Sequence, residues 1–139
     1  MKKVLIDTNV WSAFLRRKNP ADDVLRKNLF ELVESSRACI IGPIRQEVLS
    51  GIREVEKFQR LREYLEGFED EEVTTEDYVE AARIRNLCSA NGIATCSIDM
   101  TMVAFVINRK YQIYTRDNDF VDNYKKIVSL EIYQENPLR

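Results

Sequence analysis

Short, wholly apolar runs separated by helix-spaced segments constrain this chain more than any other feature. Val4-Leu5-Ile6 is the first of them, and an unbroken apolar run of this kind fits a strand buried on both faces of a parallel sheet. Asp7-Thr8-Asn9 breaks it, after which Val10, Trp11, Phe14 and Leu15 recur at helical spacing. A second helix is expected over residues 21–34, with Val24, Leu25, Leu29, Leu32 and Val33 inward. Ala38-Cys39-Ile40-Ile41 reads as the next buried strand. Gly42-Pro43 then opens a helix, proline being suited to the first turn, and Gly51 closes it. Residues 54–66 read as a charged surface helix touching the protein through Val55, Phe58, Leu61 and Leu65, and the acid-rich residues 68–73 supply at most a short edge strand.

Further along, Thr75 is the expected N-cap of a helix on which Tyr78, Ala81, Ile84 and Cys88 step along one face, and Asn91-Gly92 ends it. Residues 97–108 are apolar nearly all round, which marks a helix in the interior. Ile113-Tyr114-Thr115 reads as a strand, residues 116–123 as a polar loop or short helix, and Ile127-Val128 as a last strand. Strands alternating with helices imply right-handed crossovers. The expected fold is α/β, a three-layer α/β/α sandwich with a short, mostly parallel central sheet, forming one domain over residues 1–139.

Composition narrows the chemistry. The chain of 139 residues is 45% hydrophobic and 32% charged, ordinary for a globular domain. It contains no histidine, which removes imidazole general bases, nucleophile–His dyads and the usual zinc ligands. Cys39, Cys88 and Cys96 form no C-x-x-C pair and are expected to be buried reduced thiols. Met100 to Ile107 is the longest apolar stretch, far short of the roughly 20 residues that span a bilayer. Met1-Lys2-Lys3 runs straight into strand-like sequence with no cleavage site, so a cytoplasmic, non-membrane protein is expected. A net charge of −2, from 23 acids and 21 bases, does not announce nucleic acid, yet it permits a basic rim around an acidic pocket.

Four acids fall where a parallel sheet forms its sites, around the carboxyl ends of strands. Asp7 follows the first strand and Asp117 follows Thr115. Each has a bland reading, as helix cap or turn residue. Asp99 opens the apolar helix, where a charge is rarely kept without a partner or a metal. Glu47 lies one turn into the helix begun by Pro43 and could equally be an exposed flank. Two like charges about 4 Å apart repel by roughly 4 kcal/mol at an effective dielectric of 20, so a gathered set calls for a cation. Hard ions such as Mg²⁺ or Mn²⁺ take oxygen ligands and keep waters.

Taken together, Ile6-Asp7-Thr8-Asn9-Val10, Glu47 on a proline-started helix, Asp99 opening an apolar helix and Tyr114-Thr115-Arg116-Asp117-Asn118-Asp119-Phe120 resemble the PIN domain, and within it the VapC-type toxins of toxin–antitoxin pairs. The resemblance spans essentially the whole chain. It departs at Met100-Thr101-Met102-Val103-Ala104, where the family often has Ile-Ala-Ala. It implies an Mg²⁺- or Mn²⁺-dependent endoribonuclease acting on tRNA or mRNA, homodimeric and silenced by a cognate VapB-like antitoxin. Carried over residue by residue, Asp7, Glu47, Asp99 and Asp117 would be catalytic, with Asp7 and Asp99 the main metal ligands and Asp117 completing the set. Asn9, Thr115 and Asp119 would orient those carboxylates. Arg16, Arg17, Lys18 and Arg116 are candidate RNA contacts, with Arg45 and Arg53 also near the acids in sequence, although each could be a solvated helix flank.

Rival readings fit less well. A haloacid-dehalogenase-like phosphatase needs a second Asp where Asn9 stands. A receiver domain wants paired acids after the first strand, and an EF-hand loop beginning at Asp117 lacks its glycine and third ligand. A catalytically silent PIN fold that only binds RNA or protein is the remaining alternative.

Overall fold

The computed structural model describes residues 1–16 and 19–138, so the candidate RNA contacts Arg17 and Lys18 lie outside the described residues. Four strands, β1 (Val4–Ile6), β2 (Ala38–Ile41), β3 (Asp70–Glu71) and β4 (Gln112–Tyr114), form one sheet in the order β3-β2-β1-β4. Every pairing is parallel, with Leu5 opposite both Cys39 and Ile113. Parallel neighbours need crossovers, and helices supply them. They are α1 (Thr8–Leu15), α2 (Asp23–Glu34), α3 (Gly42–Leu49), α4 (Val55–Leu65), α5 (Thr75–Ala90) and α6 (Ser97–Arg109), with α7 (Lys125–Ile127) after β4. A short 3₁₀ turn, Pro20–Asp22, precedes α2.

The chain moves outward from β1 through β2 to β3, then returns past β1 to β4. With right-handed crossovers, that reversal puts the helices of the first half on one face and those of the second half on the other. The contacts agree: α1 packs on α2 and α3, and α3 on α4, while α5 packs on α6 and α7. The expected α/β/α sandwich is what the chain forms. Its topological switch point lies between β1 and β4, where open α/β sheets place their sites.

The core follows the apolar runs. Val4, Leu5 and Ile6 have no exposure, and α6 is buried without a break from Met100 to Val106. Trp11 on α1 meets the Phe68 ring edge-on at 5.0 Å. Gly51, at φ +84°, takes the left-handed conformation that stops α3, a position an L side chain enters only with strain. The short acid-rich strand β3 forms the sheet edge, as expected.

Five local expectations need correction, the first being Val55, which opens α4 exposed to solvent instead of turned inward. The α5 cap is Thr74, not Thr75, because Thr74 and Asp77 close a capping box. Tyr78 is exposed, and Asp77 takes the inward place beside Ala81 and Ile84, since Arg109 gives it an ionic partner at 2.9 Å. Ile127 ends α7 instead of starting a strand; the sheet is extended by Ile132, which bridges Ile113 in parallel. The tail after it is fastened to α2 by buried Asn28, whose Oδ1 accepts the Tyr133 hydroxyl and the Asn136 N–H, each at 2.8 Å. Finally, Cys39 and Cys88 are buried free thiols, but Cys96 is free and exposed, because it caps α6 at the protein surface.

Candidate active site

Asp7 leaves the carboxyl end of β1 and caps α1, its Oδ1 accepting the Thr8 N–H at 2.7 Å. Its Oδ2 accepts the Thr115 hydroxyl at 2.7 Å and the Asn9 amide at 3.3 Å. Thr115 comes straight off β4 and in turn accepts the Asp117 N–H at 2.9 Å, while Asn9 Oδ1 accepts the Arg116 N–H at 3.0 Å. Asp7, Asn9 and Thr115 thus stitch together the two loops at the switch point. The cap reading and the site position coincide in one carboxylate.

Asp99 sits half-buried in the first turn of α6, and its Oδ2 accepts the Tyr124 hydroxyl at 2.9 Å. Glu47 is exposed on α3, at the junction of two surface grooves, one shared with Leu15 and Arg16 and the other with Pro43 and Ile98. Asp117 is half-buried; its Oδ1 accepts the Asp119 N–H at 2.9 Å. Asp119 is exposed and accepts the Asn123 amide at 2.9 Å. Electrostatics link the set. Burial is the main cause that pushes Asp7 up to about 6; the Thr115 and Thr8 hydrogen bonds oppose it, and the charges of Asp99 and Glu47 add to it. Burial also raises Asp99, against hydrogen bonds from Tyr124 and Cys96, and the charges of Asp117 and Asp119 raise it further. All five acids therefore lie within electrostatic reach of at least one other.

Two buried acids elsewhere show the contrast. Asp77 is 1% exposed. Burial alone would raise it, yet Arg109, the Thr74 N–H and Asn108 outweigh that and hold it well below the usual carboxylate range. Asp22 is 2% exposed and held low by hydrogen bonds from Arg116 and then Arg16. Asp7 is as buried, at 5%, but among the described residues no lysine or arginine bonds to it or to Asp99. A carboxylate taken out of water without a cationic partner is costly. Asp7 carries that cost in full and Asp99 in part; Asp77 and Asp22 do not.

This donor set suits a hard divalent cation. Every ligand on offer is an oxygen, and Thr8 Oγ1, next to Asp7 in sequence, is buried without a hydrogen-bond partner among the described residues. Among the described residues no three His, Cys, Asp or Glu side chains are gathered into a ready-made cage. A cage is not what Mg²⁺ requires, since it binds through one or two carboxylates and keeps several waters. Asp7 and Asp99 could supply those carboxylates, with Glu47 and Asp117 reaching the ion's waters.

The basic rim is partly resolved into pairs. Arg16 donates to Asp22 Oδ2 at 3.1 Å and Arg116 to Asp22 Oδ1 at 2.8 Å, so one buried carboxylate holds two guanidiniums side by side. Arg45 is committed elsewhere, pairing with Asp70 at 2.9 Å and with the Leu65 carbonyl at 2.8 Å. Arg53 is exposed. Sequence reasoning missed Asp22, Tyr124 and Cys96. Asp22 looks like a cap after Asn19-Pro20, and its partner Arg116 is 94 residues away. Tyr124 carried a weak signal, one helical step past Phe120 on a segment that begins with pocket acids.

Residues 4–126 match the sequence model of the PIN domain family. The chain belongs to that family. No curated protein matches it in sequence. Solved structures share its fold at low identity. One is FitAcB from Neisseria gonorrhoeae, at TM-score 0.75 and 18% identity over 94% of this chain and 96% of that one. Another is DNA-bound VapBC from Salmonella typhimurium, at TM-score 0.73 and 20% identity over 96% and 98%. A third is a toxin–antitoxin complex from Klebsiella pneumoniae, at TM-score 0.66 and 16% identity over 94% and 100%. Asp7 and Asp117 of this PIN domain thus lie on the two loops at the switch point of a sheet that these proteins share. Among the described residues no helix is long and apolar enough to cross a membrane.

Proposed function

We infer that this PIN domain is an Mg²⁺- or Mn²⁺-dependent endoribonuclease, the VapC-type toxin of a toxin–antitoxin pair. One observation carries the reading: among the described residues Asp7 is a buried carboxylate with no cationic partner, pressed by the charges of Asp99 and Glu47. Family membership and the fold shared with a chain solved in a toxin–antitoxin complex support it. The proposed direct metal ligands are Asp7 and Asp99, with Asp117 and Glu47 completing the set through the ion's waters. A bound divalent ion would supply an activated water and stabilise the entering and leaving oxygens of an in-line displacement.

The chain's own residues do the positioning. Thr115 and the Thr8 N–H fix both oxygens of Asp7. Asn9 carries that order to the Arg116 backbone. Arg116 and Arg16 keep N–H donors beyond those given to Asp22, and their half-exposed guanidiniums can grip RNA phosphates. Proposed partners are an RNA substrate in the cytoplasm, a VapB-like antitoxin and a second copy of the chain.

Incubating the purified protein with total RNA and Mg²⁺, then mapping new 5′ ends, tests the substrate class. Discrete new ends in tRNA or mRNA are expected; intact RNA alongside a cleaved single-stranded DNA control would refute the RNA assignment. The arginine pair has its own test. In the cleavage-dead Asp7→Asn background, Arg16→Gln with Arg116→Gln is expected to lower the salt slope of binding to a labelled single-stranded RNA by about 1.4, from about 0.7 per phosphate contact. Fluorescence anisotropy across salt concentrations measures it, and an unchanged slope would remove both residues from the RNA path.

A further inference from the structure

The two acids most committed to the pocket are held by hydroxyl groups, whereas the structural acids are held by guanidiniums. Thr115 donates its hydroxyl to Asp7 Oδ2 and Tyr124 donates its hydroxyl to Asp99 Oδ2. The difference matters for binding a cation. Arg109 neutralises Asp77 by bonding both of its oxygens, but a neutral phenol fixes the orientation of a carboxylate and leaves its charge available.

Tyr124 is built for such a task. It is 1% exposed. Its ring meets Phe120 edge-on at 5.0 Å and 77°. The two rings bracket a single π-helical turn, Phe120–Tyr124, a rare geometry that recurs at functional sites. The Tyr124 carbonyl accepts the Val128 N–H at 3.1 Å, anchoring the turn's far end. The turn follows the loop bearing Asp117 and Asp119, so one short segment supplies two pocket acids and the group that holds a third.

We propose that Tyr124 is a positioning residue for divalent-cation binding, its hydroxyl locking the Asp99 carboxylate in the orientation that ligation needs. This rests on the reading of Asp99 as a cation ligand. The test is calorimetric titration of the full-length, metal-free protein with Mn²⁺, comparing wild type with Tyr124→Phe, which deletes the hydroxyl and keeps the ring. Loss of a group that orients a ligand is expected to weaken Mn²⁺ binding by about 10- to 100-fold. Phe120→Leu controls for packing. It is expected to lower the melting temperature while leaving Mn²⁺ affinity at the wild-type value. If wild type binds no Mn²⁺, the ligand reading itself falls, and this inference with it. If wild type binds and Tyr124→Phe binds equally well, the inference alone falls. It falls likewise if Phe120→Leu weakens Mn²⁺ binding as much as Tyr124→Phe does.

Discussion

Replacing Asp7 by Asn is expected to cut RNA cleavage by about a thousandfold or more, equivalent to about 4 kcal/mol of lost transition-state stabilisation, while making the metal-free protein more stable. The second half follows from linkage. Burial and neighbouring acids raise the folded Asp7 from its ordinary 3.8 to about 6. A carboxyl whose folded value is raised binds its proton more tightly when folded. That contribution is fully present below about pH 4 and is lost as pH rises through about 6. A difference of roughly two pKa units corresponds to about 3 kcal/mol at neutral pH. Asn keeps the shape and much of the hydrogen bonding without the charge. Thermal melts in chelator should therefore show Asp7→Asn above wild type at pH 7.5, with the gap closing toward pH 4. Added Mn²⁺ should raise the wild-type melting temperature and leave the variant unmoved. A metal-free variant less stable than wild type at pH 7.5 would make Asp7 a plain helix cap.

Asp77 should behave in the opposite way. It closes the Thr74 capping box and takes Arg109 on both oxygens and Asn108 on one, at 2.8–2.9 Å. Arg109 is itself spread over the Phe105 ring at 3.8 Å, so α5 and α6 are joined at this point. Removing one partner of a buried ion pair costs about 3–5 kcal/mol, and Asp77→Ala is expected to lose that much in urea unfolding at pH 7. The folded Asp77 is held low, so its contribution is present above the ordinary carboxylate range and fades as pH falls below about 4. The deficit should shrink in acid. A surviving protein with intact Asp7 and Asp99 should keep its Mn²⁺ affinity, whereas a loss of affinity matching the loss of stability would mean that the two kinds of acid are not separate.

The two residues also show what could be read before folding. Asp7 was legible because a buried strand ends on it, and Asp99 because its helix is otherwise apolar. Both signals are local. Asp77 was not legible: its inward position depends on Arg109, 32 residues away, and the stepping pattern around it favoured Tyr78 instead. Ile127-Val128 looked like a strand because two β-branched residues stand together, but α7 carries Ile127 and the sheet register is met only at Ile132. Tyr124 carries only a weak signal and Asp22 none, for the same reason as Asp77. Their meaning lies in partners that the crossovers bring to the switch point. Helix faces and strand ends can be read along the chain, but which polar group answers which across the sheet cannot.

We propose that acids around the β1–β4 switch point hold the cation on which strand cleavage depends. The most direct measurement is the rate at which purified wild-type protein cuts a substrate RNA in chelator, then after Mg²⁺ or Mn²⁺ is restored, with Asp99→Asn beside it. Cleavage should vanish in chelator, return with the ion, and stay absent in the folded variant at every ion concentration. Cleavage that persists in chelator, or that survives in Asp99→Asn, would contradict it.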